Sequence, residues 1–148
     1  MKRSAGKKGI AIPGFSFAGF SAGIKDSGEK DLALIYSDVP SVTAALFTTN
    51  RIKAAPVKLG ASRLSRQKHC RAVIINSGNA NACTGDQGLK DARYMIAKTA
   101  KEIGIAPGLV QVSSTGIIGQ RLPMEKIAKA IPDLVNELSP ASLPDAGK

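Results

Sequence analysis

The sequence predicts a layered α/β or α+β domain that is incomplete within these 148 residues. Three observations predict it. Two apolar runs of strand length flank a turn-like stretch and read as a β-hairpin. From residue 70 onward, strand-like and helix-like segments alternate. Those later strands are apolar enough to be buried on both faces, which takes more sheet and more helix than the chain carries.

Each element follows in order. Residues 1–30 read as glycine-punctuated loops with room for one short strand. Asp31-Leu-Ala-Leu-Ile-Tyr-Ser37 and Val42-Thr-Ala-Ala-Leu-Phe-Thr-Thr49 form the hairpin, with Asp38-Val-Pro-Ser41 as its turn because proline interrupts pairing. Pro56 suits the first position of a short helix that would bury Val57, Leu59, Ala61 and Leu64. Arg71-Ala-Val-Ile-Ile75 is β-branched and reads as a buried strand. The clearest helix covers about residues 87–103. There Leu89, Ala92, Met95, Ile96, Thr99, Ala100 and Ile103 recur at steps of three and four. Asp86 would cap its start, and Gly104 with Pro107 ends it. Leu109-Val-Gln-Val-Ser113 is the next strand. Pro123 opens a last helix with Met124, Ile127, Ala128 and Ile131 on one side, and Pro132 is expected to end it or start a new turn. Residues 139–148 read as a loop or disordered end.

Composition narrows the function. The chain fits one domain by length. A hydrophobic share of 43% with 22% charged residues excludes disordered, collagenous and disulfide-scaffold classes. Subtracting 11 acidic from 21 basic residues leaves +10, which points to an anionic partner or substrate, or to an acidic piece elsewhere. Cys70 and Cys83 are expected to be reduced, and the protein cytoplasmic. His69 is the one histidine, so no metal quartet is expected. It is read as a surface residue before a strand, on the face opposite Cys70. Lys2, Arg3, Lys7 and Lys8 before an uncharged stretch imitate an export signal, with Ser16-Phe17-Ala18 resembling a cleavage site. Gly9, Pro13, Gly14, Gly19 and Gly23 oppose the helix that such a signal needs. The longest uncharged run, 103–120, is broken by Gly104, Pro107, Gly108, Gly116 and Gly119, so no membrane span is expected.

Three segments could carry function. Between Asp38 and Asp86 there is no acidic residue, while Arg51, Lys53, Lys58, Arg63, Arg66, Lys68 and Arg71 fall there. A solvated basic face, a pocket for anionic small molecules and a docking face for an acidic chain all fit. A basic nucleic-acid-binding module is an alternative. It would want aromatic stacking platforms, and Phe47 is the one aromatic residue in the segment. Asn76-Ser-Gly-Asn-Ala-Asn-Ala-Cys-Thr-Gly85 follows a strand and precedes the strong helix. Its glycine and asparagines allow sharp turning, and its N–H groups could hold an anion or simply be satisfied internally. It is neither a Walker loop nor a dinucleotide fingerprint. Ser113-Ser-Thr-Gly-Ile-Ile-Gly119 also joins a strand to a helix. Thr115 offers a hydroxyl and Gly116 a closely approachable N–H, the paired donors of an oxyanion hole. The other reading of that loop is an ordinary strand-to-helix turn. Neither loop contains a nucleophile with its base.

The Asn76–Gly85 string, Thr48-Thr-Asn-Arg-Ile-Lys-Ala-Ala-Pro-Val57 and Ser114-Thr-Gly-Ile-Ile-Gly119 followed by Leu122-Pro-Met124 closely resemble the ornithine acetyltransferase family, also called glutamate N-acetyltransferase. Phe20-Ser-Ala-Gly-Ile-Lys25 and Asp31-Leu-Ala-Leu-Ile35 fit as well, and the matches run in family order over about residues 12–131. The resemblance implies an α+β, layered αββα, N-terminal-nucleophile-like fold, of which residues 1–148 are the leading part of one domain. It also implies acetyl transfer from N²-acetylornithine to glutamate in arginine biosynthesis, by a precursor that cuts itself before a threonine. The freed α-amine of that threonine then acts as base for its own hydroxyl. Thr115 and Gly116 match the family's oxyanion-hole positions. The cleavage threonine and the substrate-gripping residues lie farther along, beyond Lys148, so the β chain that carries the nucleophile is the expected partner, in a heterotetramer. No resident cofactor is expected. Some family members accept acetyl-CoA as a co-substrate. A self-cleaving aminopeptidase of related fold is a further alternative.

Overall fold

A computed structural model describes residues 11–147. The basic start at Lys2, Arg3, Lys7 and Lys8 lies outside the described residues. The elements in chain order are β1 (Phe15–Phe20), β2 (Leu32–Val42), α1 (Ala55–Leu64), β3 (His69–Asn76), α2 (Gly85–Ile103), a 3₁₀ turn (Pro107–Leu109), β4 (Val110–Ser114), α3 (Met124–Asn136) and a single turn α4 (Leu143–Ala146). The four strands form one sheet in the order β1-β2-β3-β4. β1, β2 and β3 pair antiparallel, and β3 with β4 is parallel. The fold is therefore mixed α+β, as expected.

One face of the sheet carries the core. Ala18, Leu34, Ile74 and Val112 align in one row across all four strands, and all are buried. Met95, Ile96 and Ala100 of α2 and Ile127, Ile131 and Leu134 of α3 join the same apolar cluster. The other face is only half covered. Ile35 and Val73 are register partners there, and both are half-buried, as is Ile75. The expected burial of the later strands on both faces is thus corrected for β3, while β4 buries Val110, Gln111 and Val112 in succession. β3 alternates, with Cys70, Ala72, Ile74 and Asn76 buried and the residues between them partly exposed.

The hairpin is the main departure. β2 does not turn back into residues 42–49. Its one edge pairs with β1 and its other with β3, so no edge remains for that segment. β2 instead continues through Pro40, where the register with β3 slips between Tyr36 and Ser41. A bulge there removes the need for the missing proline N–H. The expected short strand within residues 1–30 is β1.

Three further differences are local. α1 begins as expected beside Pro56, yet it buries Ala55, Pro56 and Gly60, while Val57, Leu59, Ala61 and Leu64 are only half-buried. A Cβ at Gly60 would stand 3.1 Å from the Phe47 ring, so the ring occupies the side that a larger residue would fill. α3 runs through Pro132 to Asn136, because Ile131 and Leu134 on either side of it are both fully buried and hold the turn against the lost hydrogen bond. The segment expected as a loop or disordered end bonds to β1 through Ser139 and Phe17, N–H to O at 3.0 Å in both directions, and α4 packs on β1 and β2. Gly19 permits that approach, since a Cβ there would overlap the backbone of Asp145.

α2 ends on Gly104 in the left-handed region, as the sequence predicts. Its N-cap position is Thr84 rather than Asp86, and no side chain caps it. Among the described residues no helix is long and apolar enough to cross a membrane. His69 is exposed at the start of β3 and Cys70 is buried behind it. Burial pushes the Cys70 thiol above its ordinary pKa, against the weaker pull of nearby N–H groups and of Arg63. Cys83 is free and exposed. Iodoacetamide at mildly alkaline pH should therefore alkylate Cys83 in the native chain and reach Cys70 only after denaturant is added. Peptide mass spectrometry showing equal labelling of both would overturn this placement.

Candidate functional site

Because β3 and β4 are parallel, the loops that follow them leave the same edge of the sheet. Loop 77–84 leads into α2 and loop 115–123 leads into α3. The carboxyl ends of adjacent parallel strands are where open sheets offer backbone dipoles to a ligand. Here the two loops are bonded to each other along their length. Thr115 N donates to Asn76 O at 3.0 Å, Ile117 N to Gly78 O at 3.2 Å, Ala80 N to Ile117 O at 3.0 Å and Gly119 N to Ala82 O at 2.9 Å.

Gly116 sits at the tightest point. Its φ is +129°. A Cβ on it would lie 2.5 Å from Asn79 N and inside the contact distance of the Gly78 carbonyl. The chain therefore lies directly on the 78–79 peptide, which a side chain at 116 would prevent. Thr115 and Gly116 are both exposed. Neither the Gly116 N–H nor the Thr115 hydroxyl has a hydrogen-bond partner among the described residues.

A third wall comes from residues 22–25. The buried carboxylate of Asp31 accepts from Ala22 N at 2.7 Å, Ile24 N at 2.5 Å and Lys25 N at 3.0 Å. This latch presses Ile24 and Lys25 onto Gly78, where an added Cβ would meet both side chains at 3.1 Å. Sequence reasoning did not assign Asp31 a role. The one signal was an acid opening an apolar strand soon after a glycine-containing loop.

The three walls enclose a cavity of about 720 Å³, with Gly116, Gly78 and Asn79 in its lining. Gly116 faces the cavity directly, whereas Thr115 stands next to it outside the lining set. The charged groups around the cavity are Lys25, Arg121 and Lys126 against Asp26, a positive excess suited to carboxylate-bearing ligands. Lys126 Nζ is also tied to Gly23 O at 2.7 Å, which joins α3 to the 22–25 wall.

The basic middle is dispersed. Arg51, Lys53 and Lys58 surround a separate cavity of about 250 Å³ beside Cys83 and Thr84. Arg71 lies 5.0 Å from the Tyr36 ring centre, and Arg63 is partly buried, which lowers its pKa. Phe47, the one aromatic residue of the segment, packs at Gly60. The Asn-rich loop spends most of its amide groups internally, with the buried Asn76 Oδ1 left over. Asn76 Nδ2 donates to Asn79 O, Asn81 Nδ2 donates to Gly88 O, and Thr84 Oγ1 donates to Asn81 Oδ1. The Thr84 hydroxyl lies against Gly88 in the first turn of α2 but donates to Asn81, and the helix has no side-chain cap.

Comparison with known proteins places these features in a family context. Residues 16–147 match the ArgJ family. The chain is 52% identical over 132 residues to the arginine biosynthesis bifunctional protein ArgJ of Geobacter sulfurreducens, covering 89% of this chain and 33% of that protein. It is 49% identical over 134 residues to the ArgJ of Thermotoga neapolitana, covering 90% and 34%. The chain thus spans about a third of the length of these relatives. Among solved structures, it is similar to the ornithine acetyltransferase of Mycobacterium tuberculosis complexed with ornithine. That match has a TM-score of 0.87 at 40% identity, over 94% of this chain and 76% of that one. The ArgJ structure from Bacillus halodurans matches with a TM-score of 0.78 at 42% identity, over 81% and 62%.

The contact at residue 116 is directly testable. Gly116→Ala should destabilise the chain by about 1–3 kcal/mol, the cost of forcing an ordinary residue into such a conformation. An unchanged chemical-denaturation midpoint would mean that the two loops do not meet as described.

Proposed function

Since the chain belongs to the ArgJ family, we propose that it supplies the oxyanion hole of an acetyltransferase that moves the acetyl group of N²-acetylornithine to glutamate in arginine biosynthesis. The observation that carries this reading is the pair of unspent, exposed donors at Thr115 and Gly116, next to a positively charged cavity.

The chemistry follows from where charge develops. A threonine hydroxyl, supplied by the part of the enzyme outside this chain, attacks the acetyl carbonyl. Its own α-amine takes the proton. The carbonyl oxygen becomes an oxyanion, which accepts from the Thr115 hydroxyl and the Gly116 N–H. Collapse breaks the amide C–N bond as the protonated α-amine passes its proton to the leaving nitrogen, which releases ornithine and leaves the acetyl group on the threonine. The amine of glutamate attacks that ester and gives a proton to the same α-amine, the oxyanion forms again between the same two donors, and collapse breaks the ester C–O bond as the α-amine returns that proton to the threonine oxygen, releasing N-acetylglutamate and the free threonine. One pair of fixed dipoles thus serves both half-reactions. The positive excess at Lys25, Arg121 and Lys126 supports a site for acidic and zwitterionic amino acids.

The reading extends to partners and fold. The nucleophile-bearing β chain is the proposed partner, and the half-covered row at Ile35, Val73 and Ile75 supports a second layer packed there, giving the αββα arrangement. Acetyl-CoA is the proposed further acetyl donor, and the cytoplasm is the proposed location.

Two measurements test it. In the full-length enzyme carrying this segment, Thr115→Ala should lower kcat by about 10²–10³-fold, the usual effect of losing one oxyanion donor. The purified 148-residue chain should show no acetyl transfer between acetylornithine and glutamate. Retained kcat in the variant, or turnover by the chain alone, would refute the assignment.

A further inference from the structure

The Asn-rich loop contains one side chain that reaches across to the loop leading into α3. Asn79 is almost completely buried, at 4% exposure. Its Nδ2 donates to Gln120 O at 3.1 Å and to Arg121 O at 3.0 Å. Its Oδ1 accepts from Asn81 N at 2.9 Å. Both amide protons and the carbonyl are thereby used, and the network sets the orientation of the amide. The reversed orientation would face an oxygen with two carbonyl oxygens and an NH₂ group with an N–H.

The placement of these bonds matters more than their number. Residues 115–119 are held to the Asn-rich loop by backbone bonds at Thr115, Ile117 and Gly119. Beyond Gly119 that backbone ladder stops. Both Gly116 and Gly119 have positive φ, so the segment contains two residues with wide conformational freedom. The Asn79 amide takes hold of the next two carbonyls and closes the loop at its far end. Asn79 also contributes the backbone N that lies 2.5 Å from the place of a Cβ on Gly116. One residue therefore forms the floor under the Gly116 peptide and the clamp on the loop that carries it.

We propose that Asn79 is a positioning residue of the acyl-transfer site, fixing the Gly116 N–H in the direction that a developing oxyanion needs. The proposal rests on the oxyanion reading of Thr115 and Gly116. Asn79 acts through the loop rather than on the reacting atoms. Pre-set donor direction is what such a hole contributes, and a shift of about 1 Å in a positioned group can cost 10²-fold in rate.

The test uses the full-length enzyme carrying this segment, with steady-state transfer from N²-acetylornithine to glutamate and a thermal melt for each variant. Asn79→Ala removes all three side-chain bonds. Its kcat should fall by about 10–100-fold with KM changed less than about threefold, because the lost contribution belongs to the transition state. Asn79→Asp keeps the acceptor for Asn81 N but faces the Gln120 and Arg121 carbonyls with oxygen, so its kcat should fall at least as far. The proposal is overturned if the loss vanishes once rates are scaled to folded protein, if KM rises while kcat holds, or if neither variant folds. Thr115→Ala, run in parallel, separates the two levels. If Thr115→Ala keeps its kcat, the oxyanion reading fails. If it loses kcat while folded Asn79 variants keep theirs, the positioning proposal alone fails.

Discussion

A backbone-on-backbone contact that only glycine permits underlies the whole candidate site. With no Cβ, Gly116 rests on the 78–79 peptide, and the two loops can then exchange hydrogen bonds from Thr115 to Gly119. The parallel pairing of β3 with β4 brings both loops to one edge of the sheet, but it does not by itself dock them. The docking also explains why the amides of the Asn-rich loop are spent inside the protein. They hold backbone in place, so the donors left over are those of the neighbouring loop.

The contact is supported from below and from the side. Beneath it, the Ala18-Leu34-Ile74-Val112 row anchors the strands whose ends carry the loops. To the side, Asp31 gathers three N–H groups and keeps Ile24 and Lys25 against Gly78. A buried carboxylate satisfied by backbone donors makes a stiff joint, because each lost bond would expose a charge to an apolar surrounding. The floor and one wall of the cavity are thus fixed by backbone and by the Asp31 latch.

Much of this was legible in the sequence, for stated reasons. α2 could be read because its apolar residues repeat at helical spacing and Gly104 marks its end. β3 and β4 could be read as compact β-branched runs. The two loops were singled out because glycine, asparagine and hydroxyl residues cluster between a strand and a helix. The hairpin was misread because apolar character signals burial without naming a partner. Residues 42–49 look like a strand, yet β2 already has a strand on each edge, and Leu46 is fully exposed. At Pro132 the local rule predicts a helix end or a new turn, because it cannot weigh the two buried residues that carry the helix past it. The Asp31 latch and the Asn79 clamp depend on contacts between segments far apart in the chain. Spacing along a sequence does not encode such contacts.

The walls of the cavity differ in how far they could be redesigned. Gly78 and Gly116 are locked by main-chain geometry, so mutational libraries spread over them would mostly return destabilised clones. Asp26, Gln120 and Arg121 reach the same space with exposed side chains. Retargeting the site to a different ligand should therefore begin with those three positions, where chemistry can be changed without disturbing the frame.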